Sequence, residues 1–281
     1  MVMLKRLLPL FICAVLYAEA PRPRPGFEGV NLRFISNFPS SNGDAEDQTE
    51  GFEVTGNFSI TKVGTWVYDW GFRYAQVSHD WTGAPVNFNI VRGVSLNLSG
   101  YAATEGVRTR YAVLQVNADA AQGASMSGAV TVQGLYGADW KKSEQLTVGY
   151  LFLAETRTVN SPMVLIVPTF RWKFAPDWSI GTGRKSLTVD YKMDDMWKAS
   201  LAVAYLQDEA RLADLGGQKQ YFESERVAAV FGLRRETNAR VHDLNLGWGF
   251  KGKASTELGG VESKFDLAPG LIVNYTSRWR F

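Results

Sequence analysis

The chain has 281 residues, with 30 basic side chains against 28 acidic ones, so it lacks the strongly basic footprint of a nucleic-acid binder. Its single cysteine, Cys13, lies close to the start, which leaves disulfide scaffolds and cysteine metal sites without ligands. After the first twenty residues no apolar run approaches the ~20 residues of a membrane-spanning helix, so any membrane role must use strands.

Residues 1–20 read as a secretory signal. Lys5 and Arg6 give the basic start, an apolar run follows over residues 7–17, and Ala18-Glu19-Ala20 fits a small-x-small cleavage pattern. Ile12 ahead of Cys13 is bulky where lipidation needs a small residue. Removal of this segment leaves residues 21–281 as one cysteine-free unit. Pro21, Pro23 and Pro25 then form an extended leader.

From there the dominant signal has a period of two, which means strands with one apolar and one polar face. The first runs over residues 27–35, with Val30, Leu32 and Phe34 aligned. After an acidic loop, Phe52, Val54, Phe58 and Ile60 alternate with polar residues. The clearest strand follows, with Trp66, Tyr68, Trp70, Phe72 and Tyr74 at every second position. Five aligned aromatics are a hazard on a soluble surface and would need a large opposing sheet in a soluble core. Against lipid they need no partner.

Residues 86–100 continue the pattern, interrupted by Arg92, which suggests a bulge beside Gly93. Weaker strands follow near residues 107–118 and 128–138, then clearer ones carrying Leu146 to Phe152 and Val164 to Phe174. Pro168 sits inside the latter, where a closed sheet has no edge for a missing N–H, so it argues for a bulge or a different register. A short hairpin is expected over residues 178–193, then strands from Trp197 and from Val227. Residues 207–220 read as a long polar loop. Another strand carries Leu244 to Phe250, and residues 252–269 read as a second long loop.

The chain closes on Leu271, Val273, Tyr275, Ser277, Trp279 and Phe281, opposite Asn274, Thr276, Arg278 and Arg280. Its length suits a tilted strand crossing a bilayer. A terminal strand ending on an aromatic resembles the closing strand of bacterial outer-membrane β-barrels, whose last Phe belongs to the signal read by their assembly machinery. The order of Pro168, Phe170, Trp172 and Phe174, then Pro176 and Trp178, resembles outer-membrane barrels of unassigned function from Gram-negative bacteria. The resemblance implies outer-membrane location, lipid and the barrel assembly machinery as partners, and no catalytic residues.

The count is fourteen strands, or twelve if the short hairpin is discounted. Their connections alternate between mostly long and uniformly short, as the loops and periplasmic turns of such barrels do. The expected fold is therefore an all-β, antiparallel, up-and-down transmembrane barrel with periplasmic termini. Trp66, Trp140, Trp172, Trp178, Trp197, Trp279 and Phe281 then fall at the periplasmic ends as an aromatic girdle.

The opposite faces would line the interior. Charged candidates there are Arg33, Glu53, Asp69, Arg73, Arg171, Lys173, Asp190, Lys192, Lys198, Arg226, Arg234, Asp243, Lys251, Arg278 and Arg280. Such charges can simply brace the wall in pairs, or bias a water-filled passage toward anionic or neutral solutes. The expected function is a passive pore for small polar or anionic solutes, with a plugged structural or surface-interaction barrel as the alternative. A hydrolase is the third reading. His79 at the loop-side rim is its better candidate base, with Ser78, Ser125, Ser127 or Ser161 as nucleophile, while His242 lies at the other end. Neighbours along a strand face opposite ways, which sets Ser78 against pairing with His79. No cofactor, metal or phosphate motif stands out.

Overall fold

A computed structural model describes residues 27–40, 44–63, 65–86, 88–104, 108–157, 162–183 and 185–280. The expected signal segment, the proline leader, Ser161 and Phe281 lie outside these residues. Strands β1 (Phe27–Pro39), β2 (Glu46–Val63), β3 (Trp66–Thr82), β4 (Ile90–Thr104) and β5 (Arg108–Ala121) come first. A short 3-10 helix, Met126–Ala129, leads into β6 (Val130–Lys141), β7 (Leu146–Glu155) and β8 (Met163–Ala175). The short pair β9 (Trp178–Thr182) and β10 (Ser186–Lys192) follows, then the long β11 (Trp197–Leu215) and β12 (Gln218–Glu236). The last are β13 (Arg240–Gly249), β14 (Gly252–Leu258), β15 (Val261–Leu267) and β16 (Gly270–Arg280).

Each strand from β1 to β13 pairs antiparallel with the next, β13 pairs with β16, and β16 returns to β1. The closing register runs from Gly29↔Arg280 to Pro39↔Gly270, so the sheet has no free edge there. β14 extends β13 past Phe250 and Lys251, and β15 leads into β16, so fourteen strands form the ring. This is the outer-membrane β-barrel architecture that the alternation and the terminal strand announced.

The short turns fall where expected. Two of the long loops do not exist as loops. Residues 207–220 are strand, with β11 and β12 running in register from Trp197↔Arg235 to Leu212↔Gln220. Gly216 and Gly217 close the hairpin with φ of 61° and 78°. Residues 252–269 form the β14–β15 hairpin, closed by Gly259 and Gly260 at φ 58° and 85°. A two-residue turn with both φ positive matches strand twist, and a Gly-Gly pair supplies it without a Cβ penalty. The sequence signal was the glycine pair. The polar flanks hid it, because these hairpins stand beyond the lipid and carry no aromatic alternation.

Apolar side chains face outward along the whole ring. Leu96 (61% exposed), Leu201 (59%) and Ile166 (73%) would be untenable in water and are at home in hydrocarbon. Trp172 and Trp178 are exposed at the short-turn end, where Trp178 stacks on Tyr191 and Arg235 sits over Trp197. Trp66 stacks on Tyr68, and Trp279 pairs with Val30.

Aromatic rings also cover cross-strand glycines. The Phe72 ring lies where a Cβ on its partner Gly56 would be. Gly56→Val is expected to push that ring off its strand and cost ~1–3 kcal/mol, as overpacking does. Denaturant unfolding in detergent, followed by tryptophan fluorescence, reads it; an unchanged midpoint would refute the covering role.

Candidate functional site

The ring encloses a cavity of ≈ 520 Å³. Its charged centre is built on β1 to β5. Arg73 Nε donates to Glu53 Oε2 at 2.7 Å, and its Nη1 reaches Asp119 Oδ1 at 3.4 Å. Gly93 explains the reach. It pairs with Asp119, and a Cβ there would collide with that carboxylate and crowd the Arg73 guanidinium. β4 keeps unbroken register through this point, so Gly93 marks a space for an ion pair where a bulge was expected. Arg92 points outward and is exposed, at the capped end of the apolar band.

Arg33 and Arg226 line the same cavity with no carboxylate partner among the described residues. In total Arg33, Arg73, Lys185 and Arg226 meet Asp47, Glu53, Asp119, Asp208 and Glu209, so the cavity itself is not basic. Alternation missed Asp47, Asp119, Asp208 and Glu209 because the polar stretches that carry them read as loops and are strand.

The basic excess sits toward the short turns. Arg171, Lys173, Lys192, Lys198, Arg234, Arg278 and Arg280 lie at that end with Asp69, Asp139, Asp190, Asp195, Asp243 and Glu236. Arg234 bonds Asp243 at 2.6 Å, Arg280 and Lys198 reach Glu236 at 2.9 and 3.8 Å, and Arg278 donates to Asn31 at 2.6 Å. Lys192 reaches Asp195 in the exposed turn at 2.6 Å, which holds the Asp195 carboxyl below its ordinary range through that hydrogen bond and charge. Lys251 lies elsewhere: at the junction of β13 and β14 it bridges Asp44 at 3.0 Å and Asp266 at 3.1 Å.

One row toward the cap, the inward side chains turn apolar. Ile35, Val77 and Val91 face the cavity from β1, β3 and β4, with Ile272, Leu206 and Phe222 beside them. Above them lies a roof. The far half of the β11–β12 hairpin leaves the wall and crosses to β5, where Arg211 pairs with Ala120, skipping β6 to β10. Phe222 packs into Trp81 at 5.5 Å and Phe88 at 5.1 Å, with Phe265 against Trp81 at 6.3 Å. Ala45, Ala121, Leu212, Ala254 and Leu267 complete this buried cluster. Phe88 was expected to face lipid from a strand starting at Val86; β4 begins at Ile90 and Phe88 is 7% exposed in the roof. Arg211 anchors the crossing hairpin, donating Nη1 to the Leu212 and Gln220 carbonyls and pairing Nη2 with Asp214.

His79 belongs to this roof. Its Nδ1 lies 3.0 Å from Asp47, and its ring stacks on Trp81. Ser125 and Ser127 bond each other, 2.8 Å apart, in the segment before β6. His242 does contact a serine, Ser277, at 3.1 Å and Tyr275 at 2.9 Å, with all three on the outer face near the short turns. Among the described residues, no such pair is completed by an acid facing the cavity.

No protein-family model matches this sequence, and no curated protein does. Among solved structures, an outer-membrane channel from Pseudomonas putida F1 is similar at TM-score 0.51 and 10% identity, over 92% of this chain and 97% of that one. A deltaS2 mutant of the TodX monoaromatic hydrocarbon channel aligns at TM-score 0.47 and 8% identity, covering 92% and 91%. The NanC porin aligns at 0.43 and 9%, covering 90% and 100%. At these identities the likeness is one of fold.

Proposed function

We propose that this outer-membrane-type barrel is a passive diffusion channel for small polar solutes, with anions favoured over cations. The observation that carries the reading is the closed fourteen-strand ring around a charged cavity, since a ring this wide exceeds what wall side chains alone fill. The short-turn end is the periplasmic mouth, and its basic side chains set the charge preference. The roof over the opposite mouth restricts the vertical path and favours the plugged, structural alternative. Planar-bilayer recording separates the two. Stepwise conductance with a reversal potential of anion-preferring sign across a salt gradient is expected. A silent barrel would establish the plug, and cation preference would overturn the charge argument.

The outward apolar band supports placement in the outer membrane. The assembly machinery would read the last strand through Phe281. Deleting Phe281 is expected to lower the amount of barrel recovered in outer-membrane fractions, with precursor accumulating in the periplasm. Equal recovery would remove that partner from the account.

A further inference from the structure

The wall of the barrel is incomplete between β8 and β11. β9 has 5 residues and β10 has 7, fewer than the roughly 9–11 a tilted strand needs to cross a bilayer. β8 runs on above them. It pairs with β9 only at Arg171, Trp172 and Ala175, which leaves Met163 to Thr169 without a neighbour on that side among the described residues. Across the opening, the last backbone tie between β10 and β11 is the Tyr205 N–H to the Lys185 carbonyl at 2.8 Å; on the cavity side Lys185 Nζ reaches Gln207 at 2.7 Å, and Arg157, just past β7, reaches Glu209 at 3.1 Å. Beyond it β11 turns inward to form the roof.

Pro168 independently marks the same edge. Main-chain groups of alternate residues in an antiparallel strand point the same way. Phe170 N donates toward β9, to Thr182 Oγ1 at 2.9 Å, while Lys173 N donates the other way, to Gln145. Pro168 shares the side of Phe170, so its missing N–H falls where no strand would accept it. The residue whose position suggested a bulge or a different register sits where the wall is open. Leu165 tells the same story: its parity is inward, yet it is 41% exposed.

The opening joins the cavity. Tyr205, on the outward side of β11 with Leu201 and Val203, lines the same cavity as Arg33 on β1. Unpaired backbone at membrane depth is tolerated only where it borders protein or a water-filled space, and a cavity mouth meets that condition. The cavity behind it has an apolar tier (Ile35, Val77, Val91, Ile272) next to one holding Arg33 and Arg226.

We propose that this gap is a lateral gate to the bilayer, through which small amphiphiles with an apolar body and an anionic head pass between the outer leaflet and the cavity. The apolar tier takes the body, and Arg33 with Arg226 takes the head. The proposal extends the channel reading with a second solute class but does not require that ions flow.

Two measurements test it. Cys13 is the one cysteine of the chain and lies in the expected signal segment, so with Cys13→Ser in place Leu165→Cys and Gln115→Cys can each carry one bimane label. Gln115 also faces inward, from β5, which is paired on both sides. In vesicles with brominated acyl chains, the label at position 165 is expected to be quenched severalfold more than that at 115. Equal quenching overturns the gate, and this holds even for a barrel that conducts no current. In bilayer recordings, octanoate is expected to block the current at concentrations where acetate has no effect, with Leu165→Trp relieving the block. Equal block by both anions, or no relief in the variant, overturns the amphiphile assignment.

Discussion

Replacing Trp81 and Phe222 together with alanine is expected to raise single-channel conductance severalfold while the barrel stays assembled. The two rings meet at 5.5 Å, and Phe222 is 3% exposed at the point where the β11–β12 hairpin docks on the loops of β1 to β5. Each truncation of a buried aromatic costs ~3–5 kcal/mol where the surroundings cannot collapse. That cost falls on the roof, because neither side chain takes part in the backbone ladders that close the ring. The docked hairpin therefore loosens first and the mouth widens. Conductance in planar bilayers and the resistance of the barrel to unfolding by heat in detergent are the paired readouts. Unchanged conductance with an intact barrel would show that the roof does not limit flow.

Arg73→Met is expected to turn the selectivity of the channel toward cations, by adding to the excess of acid already in the cavity. Methionine keeps most of the apolar stem and removes the cation held between Glu53 and Asp119. The lining would then carry five carboxylates against three cations, counting the residues already named around the cavity. Glu53 keeps 16% and Asp119 29% of its side-chain surface, so both feel the loss while water still screens them. Losing a hydrogen-bonded charge partner in such a half-wet site costs ~1.5–3 kcal/mol. A reversal potential equal to that of the unaltered chain would mean that the short-turn mouth alone sets selectivity. Should Arg73→Lys restore the original sign, the effect belongs to charge rather than to packing.

Architecture was legible in the chain because a bilayer makes it so. Lipid contact demands an apolar residue at every second position, and Trp66, Tyr68, Trp70, Phe72 and Tyr74 state that demand without reference to any partner strand. The same solvent logic gave the strand number and the short turns. The interior obeys no comparable rule. A lumen accepts charged and apolar side chains alike, so alternation placed Arg33 and Arg73 on the inner side but said nothing of Asp119 or Val77 as their neighbours. Pro168 was visible as an anomaly, yet only the pairing of β8 shows which side of that strand lacks a partner. The roof was hidden for another reason. Its hairpin is polar on the faces that meet water, and Phe222 gains its burial from Trp81, Phe88 and Phe265, contacts far apart in sequence. What faces lipid was thus written in the order of the residues, since one uniform solvent reads every strand alike; what fills and opens the cavity depended on where separate strands end and which of them lean inward.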